Sequence, residues 1–273
     1  ANLVGDGLAF DDVTLIGSGG VPLLDHLSFE VRRGETVAIA GVQGNGQSEL
    51  AEVVLGLRTP TSGAVRLGDQ DITHLNPRQS LDAGIGFVPE DRMTDGIIAS
   101  FSIADNLVLD QFTSSQFSAF GSRKLAAIAR NAEEKQEEYD IRLTSINDPI
   151  SSLSGGNQQK VVVAREMSKE LQLLVVNQPT RGVDVGSIEF IHRRIVDTRD
   201  GGCAVLLISS ELDEICALAD RIAVMYRGRI VGIVPPDTPR DVLGLMMAGV
   251  PLDEAMASSS GSAAADRAGR EEK

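Results

Sequence analysis

The stretch Gly41–Ser48 (GVQGNGQS) constrains this chain more than any other part of it. Its closely spaced glycines lie between an apolar run that predicts a buried strand, Thr36–Ala40, and a helical pattern, Gln47–Leu57. In such a turn, successive backbone N–H groups converge on phosphate oxygens and the helix N-terminus adds its positive dipole. We therefore predict a phosphate-binding loop, with a purely structural glycine turn as the alternative. The candidate binding residues are Gly41, Gln43, Gly44, Asn45, Gly46, Gln47, Ser48 and Glu49.

One position of this loop departs from the phosphate-loop pattern G-x-x-x-x-G-K-[ST]. Gln47 stands where a lysine would reach the β- and γ-phosphates of a nucleotide. Replacing a charge-assisted contact by a neutral one is expected to lower nucleotide affinity about 10- to 150-fold. Ser48 keeps a hydroxyl that can bind Mg²⁺. The sequence thus predicts a weakened phosphate site, with Ser48 as the candidate metal ligand.

Short apolar runs alternate with helical patterns along the chain, which is typical of an α/β protein. Continuous apolar runs at Leu171–Val176 and Ala204–Ile208 predict strands of a parallel sheet that is covered on both faces. Turns at residues 68–69 and 227–228 predict two hairpins. A helix is predicted between residues 186 and 201, and its buried side is expected to carry Ile188, Ile191 and Ile195. On the first helix the expected buried residues are Leu50, Val53, Val54 and Leu57.

The region from about residue 90 to 165 differs from the rest, and we interpret it as an inserted helical subdomain. It contains a charged run, NAEEKQEEYD, that predicts a solvated helix face, and a helical pattern that starts at Asn157. From Asp253 onward the composition turns to Ser, Ala and Gly, which predicts a disordered tail over residues 252–273. Residues 1–251 are therefore expected to form one domain.

Charge and composition exclude several classes of protein. The chain has 273 residues and a formal net charge of −14, which argues against binding nucleic acid through its phosphates. No apolar run approaches the roughly 20 residues of a membrane-spanning helix, and residues 1–13 do not form a secretory signal. Cys203 and Cys216 fit no metal motif and are expected to be reduced thiols in the core. The chain begins at Ala1 with no initiator methionine, so we expect a fragment of a longer protein.

Several motifs in a fixed order then indicate a family. Residues 153–160 (LSGGNQQK) precede a helical pattern and resemble the signature motif of ATP-binding cassette (ABC) ATPases. The other motifs are the phosphate loop, FVPEDR at 87–92, VVNQPTRGVD at 175–184 and LLISSELDE at 206–214. The resemblance covers roughly residues 8 to 250. It implies the ABC-type P-loop NTPase fold, with a mixed-sheet core, an N-terminal antiparallel β-subdomain and an inserted helical subdomain.

Within that family, the motifs PEDR, LSGGNQQK, PTRGVDVG and ISSEL are similar to those of importers of simple sugars and nucleosides. These importers usually carry two nucleotide-binding domains in one polypeptide. The loop GVQGNGQSEL and the stretch NQPTRGVDVGSIEFIH resemble the C-terminal, degenerate domain of the nucleoside-type members. A sugar stays open as the alternative substrate.

In the family, two domains pair head-to-tail, and each ATP with its Mg²⁺ lies between one domain's phosphate loop and the other's signature motif. The resemblance assigns Asp184 to the loop after the strand and Glu90 to the loop that couples to the membrane subunits. The coupling surface is expected to run from Glu90 to about Asn106. The residues that would face a partner's ATP are Leu153, Ser154, Gly155, Gly156 and Gln158.

This chain has other residues at the positions where the family binds the metal, activates water and contacts the γ-phosphate. The family has Asp and Glu at the end of the strand where this chain has Asn177 and Gln178, and its switch histidine falls at Ser210. Gln178 cannot take a proton, and a general base contributes about 10²- to 10⁴-fold. No aromatic residue lies at the expected adenine position, and Phe10 is only a weak candidate. This copy is therefore expected not to hydrolyse ATP by itself and to bind ATP and Mg²⁺ weakly.

The leading hypothesis is an accessory nucleotide-binding domain of a nucleoside or simple-sugar importer. Its implied partners are a second nucleotide-binding domain, membrane permease subunits and, indirectly, a substrate-binding protein, with no nucleic acid. Its implied location is peripheral, at the cytoplasmic face of the bacterial membrane. The alternatives are a fully active sugar-importer ATPase domain and a soluble ABC-type regulatory ATPase. Two interpretations also remain open, core or permease contact, for Phe101, Phe112, Phe117 and Phe120.

Overall fold

The computed structural model describes residues 7–258. The strands, in chain order, are Leu8–Ile16 (β1), Pro22–Val31 (β2), Thr36–Ala40 (β3), Ser62–Leu67 (β4), Gln70–Asp71 (β5), Ile85–Val88 (β6), Ser118–Ala119 (β7), Ser122–Arg123 (β8), Leu173–Asn177 (β9), Ala204–Ser209 (β10), Arg221–Tyr226 (β11) and Arg229–Val234 (β12). The helices are Gln47–Val54 (α1), Pro77–Asp82 (α2), Ile103–Asn106 (α3), Leu125–Glu138 (α4), Gly155–Met167 (α5), Val185–Asp200 (α6), Leu212–Leu218 (α7) and Arg240–Met247 (α8). The regular structure of these residues also includes a π-helical turn at Arg92–Gly96, a 3-10 turn at Ile150–Ser152 and a helix over residues 252–258.

A six-stranded sheet of order β12-β11-β3-β10-β9-β6 forms the centre of the domain. β3 pairs in parallel with β10 and β11, β9 lies in parallel between β10 and β6, and β12 is the antiparallel edge. Every residue of β3, β9 and β10 is buried, because both faces of the sheet are covered. Along β3, Val37 and Ile39 pack into one hydrophobic cluster while Ala38 and Ala40 pack into the other.

The two clusters connect the sheet to different parts of the chain. One cluster joins it to α1 and to a four-stranded antiparallel sheet of order β2-β1-β4-β5. The other joins it to the helices of the inserted region and to α8, where Met246 is buried. Both predicted hairpins are confirmed, one between β4 and β5 and one between β11 and β12. The domain is a mixed α/β fold with the antiparallel subdomain and the insertion that the motifs implied.

The inserted region holds α3, α4, α5 and a short hairpin formed by β7 and β8. The charged run lies on α4 with its glutamates exposed, while Ile128 and Ala132 face the core, so the solvated helix face is confirmed. The four phenylalanines divide between the two interpretations. Phe117 is buried in the core, whereas the exposed ones are Phe101, Phe112 and Phe120.

Some expectations were wrong. The first helix ends at Val54, and Leu57 lies beyond it with 59% of its surface exposed, because the chain turns away at Leu55–Gly56 towards β4. The disordered tail predicted over residues 252–273 is wrong for residues 252–258, which are helical and place Ala255 in the core; residues 259–273 lie outside the described part. Ile188 is only half-buried, whereas Ile191 and Ile195 are buried as expected.

Both cysteines carry free thiols; Cys203 is buried and Cys216 is half-buried. Burial raises the pKa of the Cys203 thiol to about 12, so this residue is an unreactive part of the core. Within residues 7–258, no helix combines the length and apolarity that crossing a membrane requires.

Candidate functional site

The phosphate loop connects β3 to α1, as the sequence predicts. Its tight path requires glycine at two positions, since Gly44 and Gly46 have φ angles of 88° and 109°. Gly46 is also in close contact with the antiparallel sheet, where a Cβ atom would lie 2.7 Å from the Leu23 carbonyl oxygen. Glu49 lies in the first turn of α1. The backbone of the loop therefore keeps the shape that a phosphate site needs.

The Gln47 side chain folds back into this loop. Its Oε1 accepts a hydrogen bond from the Asn45 N–H at 3.0 Å, and its Nε2 donates to the Val42 carbonyl at 3.0 Å. The residue is 7% exposed, and its Nε2 lies 2.5 Å from where a Cβ of Gly41 would be. An amide both donates and accepts, so Gln47 ties the loop to itself and uses one N–H group of the phosphate-binding backbone.

A turn at the far edge of the sheet braces the same loop. Asn45 accepts the Arg227 N–H on its Oδ1 at 2.8 Å, and its own carbonyl accepts the Gly228 N–H at 2.8 Å. Asn45 Nδ2 also donates to the Val42 carbonyl at 2.8 Å. The β11–β12 hairpin therefore holds the middle of the phosphate loop, which the sequence pattern did not indicate.

The two residues predicted to occupy the hydrolytic positions contact each other. Gln178 Nε2 lies 3.2 Å from Ser210 Oγ, and that hydroxyl lies 3.4 Å from Gln178 Oε1. Gln178 has a left-handed backbone with φ of 49°, and Asn177 at the end of β9 is buried. An amide and a hydroxyl that bond each other contain no group that titrates near neutral pH. Gln178 and Ser210 therefore form a neutral pair.

Two cavities lie beside the loop. One of about 510 Å³ is lined by Ser48, Glu90, Asn177 and Arg181, among others. The second, of about 490 Å³, is lined by Gln43, Glu90, Gln178, Arg181 and Ser210, among others. Glu90 Oε1 also accepts a hydrogen bond from Gln43 Nε2 at 3.4 Å. The structure thus brings Glu90, the loop and the strand end together.

The donor set for Mg²⁺ is small but chemically suitable. Among residues 7–258 there is no cluster of three His, Cys, Asp or Glu side chains that could hold a metal alone. Mg²⁺ bound to ATP needs only one or two protein oxygens besides the phosphates. The Ser48 hydroxyl and the Glu90 carboxylate line the same cavity and are the residues that would supply them.

The signature motif forms a second face of the domain. Ser154 is the exposed N-cap of α5, and its Oγ accepts hydrogen bonds from Asn157 N at 3.4 Å and Asn157 Nδ2 at 3.0 Å. A Cβ on Gly156 would lie 2.5 Å from Ser187 Oγ and would collide with the Asp184 carboxylate. The glycine therefore lets the start of α6 approach the start of α5, with Leu153 half-buried just before the cap.

Gln158 and Arg92 hold this face from inside. The Gln158 amide is buried and donates to the Leu153 carbonyl at 3.2 Å, while its Oε1 accepts from Arg92 Nε at 3.4 Å. Arg92 also donates to the carbonyls of Arg181 at 3.1 Å and Gly182 at 3.5 Å. A Cβ on Gly155 would lie 2.5 Å from Arg92 Nη2. The Gln158 side chain therefore points inward and fixes the motif.

Asp184 begins α6 and is held as an anion. It is the N-cap of this helix, and its carboxylate accepts hydrogen bonds from the Ser187 hydroxyl at 2.8 Å and the Ser187 N–H at 3.1 Å. These bonds lower the pKa of Asp184, with the hydroxyl contributing most. The preceding loop is anchored at Thr180, whose hydroxyl donates to the buried Glu214 at 2.7 Å.

Sequence reasoning missed several residues of this site. Arg92 and Arg181 stand inside the quoted motifs PEDR and PTRGVD, but no role was assigned to either arginine. His192 Nε2 lies 2.9 Å from the Glu214 oxygen that Thr180 binds. Phe10, the weak candidate for adenine stacking, is wrong for that role because it is buried and stacks on Phe29 with ring centroids 4.8 Å apart.

Solved structures share this fold. The ADP-bound ATP-binding cassette MJ1267 of an ABC transporter aligns with a TM-score of 0.71 at 22% identity, covering 88% of this chain and 96% of that one. The dimeric cassette MJ0796, in a post-hydrolysis state with ADP and phosphate, gives a TM-score of 0.71 at 21% identity over 85% of this chain and 100% of that one. At this identity the likeness establishes the fold alone.

Sequence comparison establishes the family. The guanosine import ATP-binding protein NupO of Bacillus subtilis is 44% identical over 91% of this chain and 49% of its own length. The glucose import ATP-binding protein TsgD13 of Haloferax volcanii is 43% identical over 87% of this chain and 44% of its own length. This chain thus spans about half the length of the curated relatives it matches. The ABC transporter family model matches residues 24–181, and the chain belongs to the ABC transporter family as an ATP-binding cassette domain.

Proposed function

We propose that this domain is the accessory nucleotide-binding domain of an importer for nucleosides or simple sugars. In this proposal its signature motif completes the ATP site of a second nucleotide-binding domain, while its own site does not hydrolyse ATP. The observation that carries the proposal is the neutral Gln178–Ser210 pair at the hydrolytic positions, together with an exposed signature serine that caps α5 on the other face. The substrate class is taken from relatives described as guanosine, nucleoside and glucose import proteins.

The exposed Ser154 hydroxyl and the backbone N–H groups at the start of α5 suit a role at a partner's γ-phosphate. Donors fixed before the reaction stabilise charge in the transition state without reorganisation, and removing one such donor typically costs about 10²- to 10³-fold. Gly155 and Gly156 keep this helix start free of side chains, and contacts from Arg92 to Gln158 and from Asp184 to Gly156 hold it in place. The proposed partner domain is the N-terminal half of the same polypeptide.

The membrane subunits are proposed to contact the surface from Glu90 to Asn106. Met93, Ile98 and Phe101 are exposed apolar residues on this stretch. A group of exposed apolar side chains in one segment favours a protein contact. The location at the cytoplasmic face of the membrane and the indirect link to a substrate-binding protein follow from the same proposal. Closure of the domain pair around ATP would drive transport as a two-state change.

Mg-ATP hydrolysis tests this function in two stages. The chain alone is expected to show no turnover above a contaminant control carrying Gly46→Arg and Ser48→Ala. Turnover near 1 s⁻¹, the low end of ordinary enzymes, would contradict the proposal and favour a fully active importer domain.

In the second stage, the partner domain is assayed with this chain or with its Ser154→Arg variant. Hydrolysis by the pair should fall about 100-fold or more in the variant, because the signature donor is lost and a bulky cation blocks the helix start. Ser151→Arg, at an exposed serine three positions upstream, is the matched control and should leave the rate unchanged. Equal hydrolysis with Ser154→Arg would rule out a shared site.

A further inference from the structure

Arg181 occupies an unusual place beside a phosphate loop that has no cation of its own. Its guanidinium Nη1 is bound to Glu90 Oε1, the same oxygen that accepts a hydrogen bond from Gln43 Nε2 of the loop at 3.4 Å. A single carboxylate oxygen therefore joins the guanidinium to the phosphate loop. The contact bridges 91 positions of sequence, so it exists only in the folded domain.

Arg181 also lines both cavities beside the loop. In one it faces the same space as Ser48 and Asn177, and in the other the same space as Gln43, Gln178 and Ser210. It is the only cation among the described residues that line these two cavities, whereas the carboxylates there include Glu52, Glu90, Asp91, Asp95 and Glu211. Without Arg181, a polyphosphate in this space would meet negative charge without a protein counter-charge.

The guanidinium has capacity left for an anion. Nη1 binds Glu90, and within residues 7–258 the structure shows no hydrogen-bond partner for Nε or Nη2. The side chain is 63% exposed, so it can adjust its position. A guanidinium presents five N–H groups in a planar fork that matches phosphate oxygens, and one bond to a carboxylate leaves the others available.

We propose that Arg181 is the cation that binds the polyphosphate of ATP in this domain's own loop, in place of the lysine absent at position 47. This inference deepens the proposed function and rests on it, because it states how the non-hydrolytic site holds its nucleotide. Glu90 is the positioning residue: it keeps the guanidinium at the loop and shares it with the phosphate when ATP binds.

The geometry has a consequence for how the site responds to salt. An exposed guanidinium on a flexible side chain is screened by ions more strongly than a lysine enclosed in the loop. ATP affinity in the wild-type chain should therefore fall steeply as salt rises. A variant without the Arg181 charge should show a shallower dependence, which a merely structural loss would not produce.

The test is ATP binding to the full 273-residue chain, measured by isothermal titration calorimetry at low and high salt. Arg181→Gln is expected to weaken ATP binding about tenfold, since one charge-assisted contact is lost. The ATP affinity of Arg181→Lys, which keeps the charge without the planar fork of N–H groups, should lie between those of the wild type and Arg181→Gln. The matched control is Arg193→Gln on α6, an arginine that is 69% exposed and also pairs with a glutamate, Glu189; it should bind ATP as the wild type does.

Three results would overturn the inference: wild-type affinity in Arg181→Gln, equal losses in Arg181→Gln and Arg193→Gln, or no ATP binding by the wild-type chain. Thermal melting of each variant checks that the domain is folded. None of these results bears on Ser154, so hydrolysis by the domain pair tests the proposed function separately. Loss of the Ser154 effect with an intact Arg181 effect would leave a nucleotide-binding domain that does not complete a partner's site.

Discussion

The phosphate-loop face and the signature face of this domain preserve different properties. At the loop face, Gln47, Gln178 and Ser210 are neutral groups that bond to the loop or to each other. At the signature face, an exposed serine and two glycines stand where the family motif has them, held from behind by Arg92 and Asp184. One face carries neutral hydrogen-bonding groups, while the other depends on the close packing of its glycines.

The difference shows that neutral side chains can fill these positions without loss of the fold. An amide or hydroxyl forms the hydrogen bonds that a charged group would form, so no buried polar group is left unpaired by the exchange at Gln47. The signature face depends instead on the close approach of the starts of α5 and α6. A Cβ at Gly156 would collide with the Asp184 carboxylate and the Ser187 hydroxyl, so these two groups at the start of α6 would have to move.

The largest expected effect follows from that dependence on shape. Gly156→Ala places a Cβ 2.5 Å from Ser187 Oγ and against the Asp184 carboxylate, which displaces the start of α5. Partner-stimulated hydrolysis should fall about 100-fold, since small misplacements of positioned groups have costs of that size. The assay is Mg-ATP turnover by the domain pair.

Gly244→Ala is the matched control for this change. Gly244 lies within α8 with open space around its Cβ position, so the alanine should keep turnover and stabilise the helix by about 1 kcal/mol. If Gly156→Ala supports the same turnover as Gly244→Ala, the signature face does not depend on this contact.

A smaller effect is expected at the loop face. Gln47→Lys should tighten ATP binding about tenfold, because an ammonium replaces an amide opposite the phosphates. Hydrolysis by the chain alone should stay absent, because Gln178 still cannot accept a proton. Calorimetry measures the affinity, and Gln70→Lys on the exposed strand β5 controls for the added charge. An unchanged affinity in Gln47→Lys would mean that the missing lysine is not what weakens this site.

The smallest expected effect is a pH dependence of the Asp184 cap on the signature face. The pKa of Asp184 is lowered from 3.8, first by the Ser187 hydroxyl, so its stabilising contribution is complete above pH 3.8 and is lost as pH falls through the lower folded value. The difference in urea midpoint between wild type and Asp184→Ala should therefore be present at about pH 6 and shrink towards about pH 3.

Glu189→Ala controls for removing an exposed carboxylate from the same helix. A difference between wild type and Asp184→Ala that stays constant over this pH range would show that the cap does not act through its charge. The Gln47 and Gln178–Ser210 contacts contain no carboxylate or imidazole, so substitutions there should show no such dependence.

Much of the fold was predictable because buried parallel strands are continuous apolar runs. β3, β9 and β10 are such runs, and the glycines at 44 and 46 marked the loop that follows β3. The positions of apolar residues near the ends of helices and strands were harder to predict. Leu57 continues the helical pattern of α1, yet the helix ends before it. Phe10 packs against Phe29 in the core of the antiparallel sheet and is not available to a ligand.

By itself, the sequence determined the family motifs, their order and the neutral residues at 47, 177, 178 and 210, where charged or titratable groups were expected, because these are matters of residue identity and spacing. Only the tertiary structure decided where the long polar side chains lie. Arg92 reaches the Arg181 carbonyl across 89 positions, Arg181 reaches Glu90 across 91, and Gln178 meets Ser210 across 32. Such side chains have many rotamers of similar energy, so their partners are selected by the packing of distant elements, which no local pattern encodes.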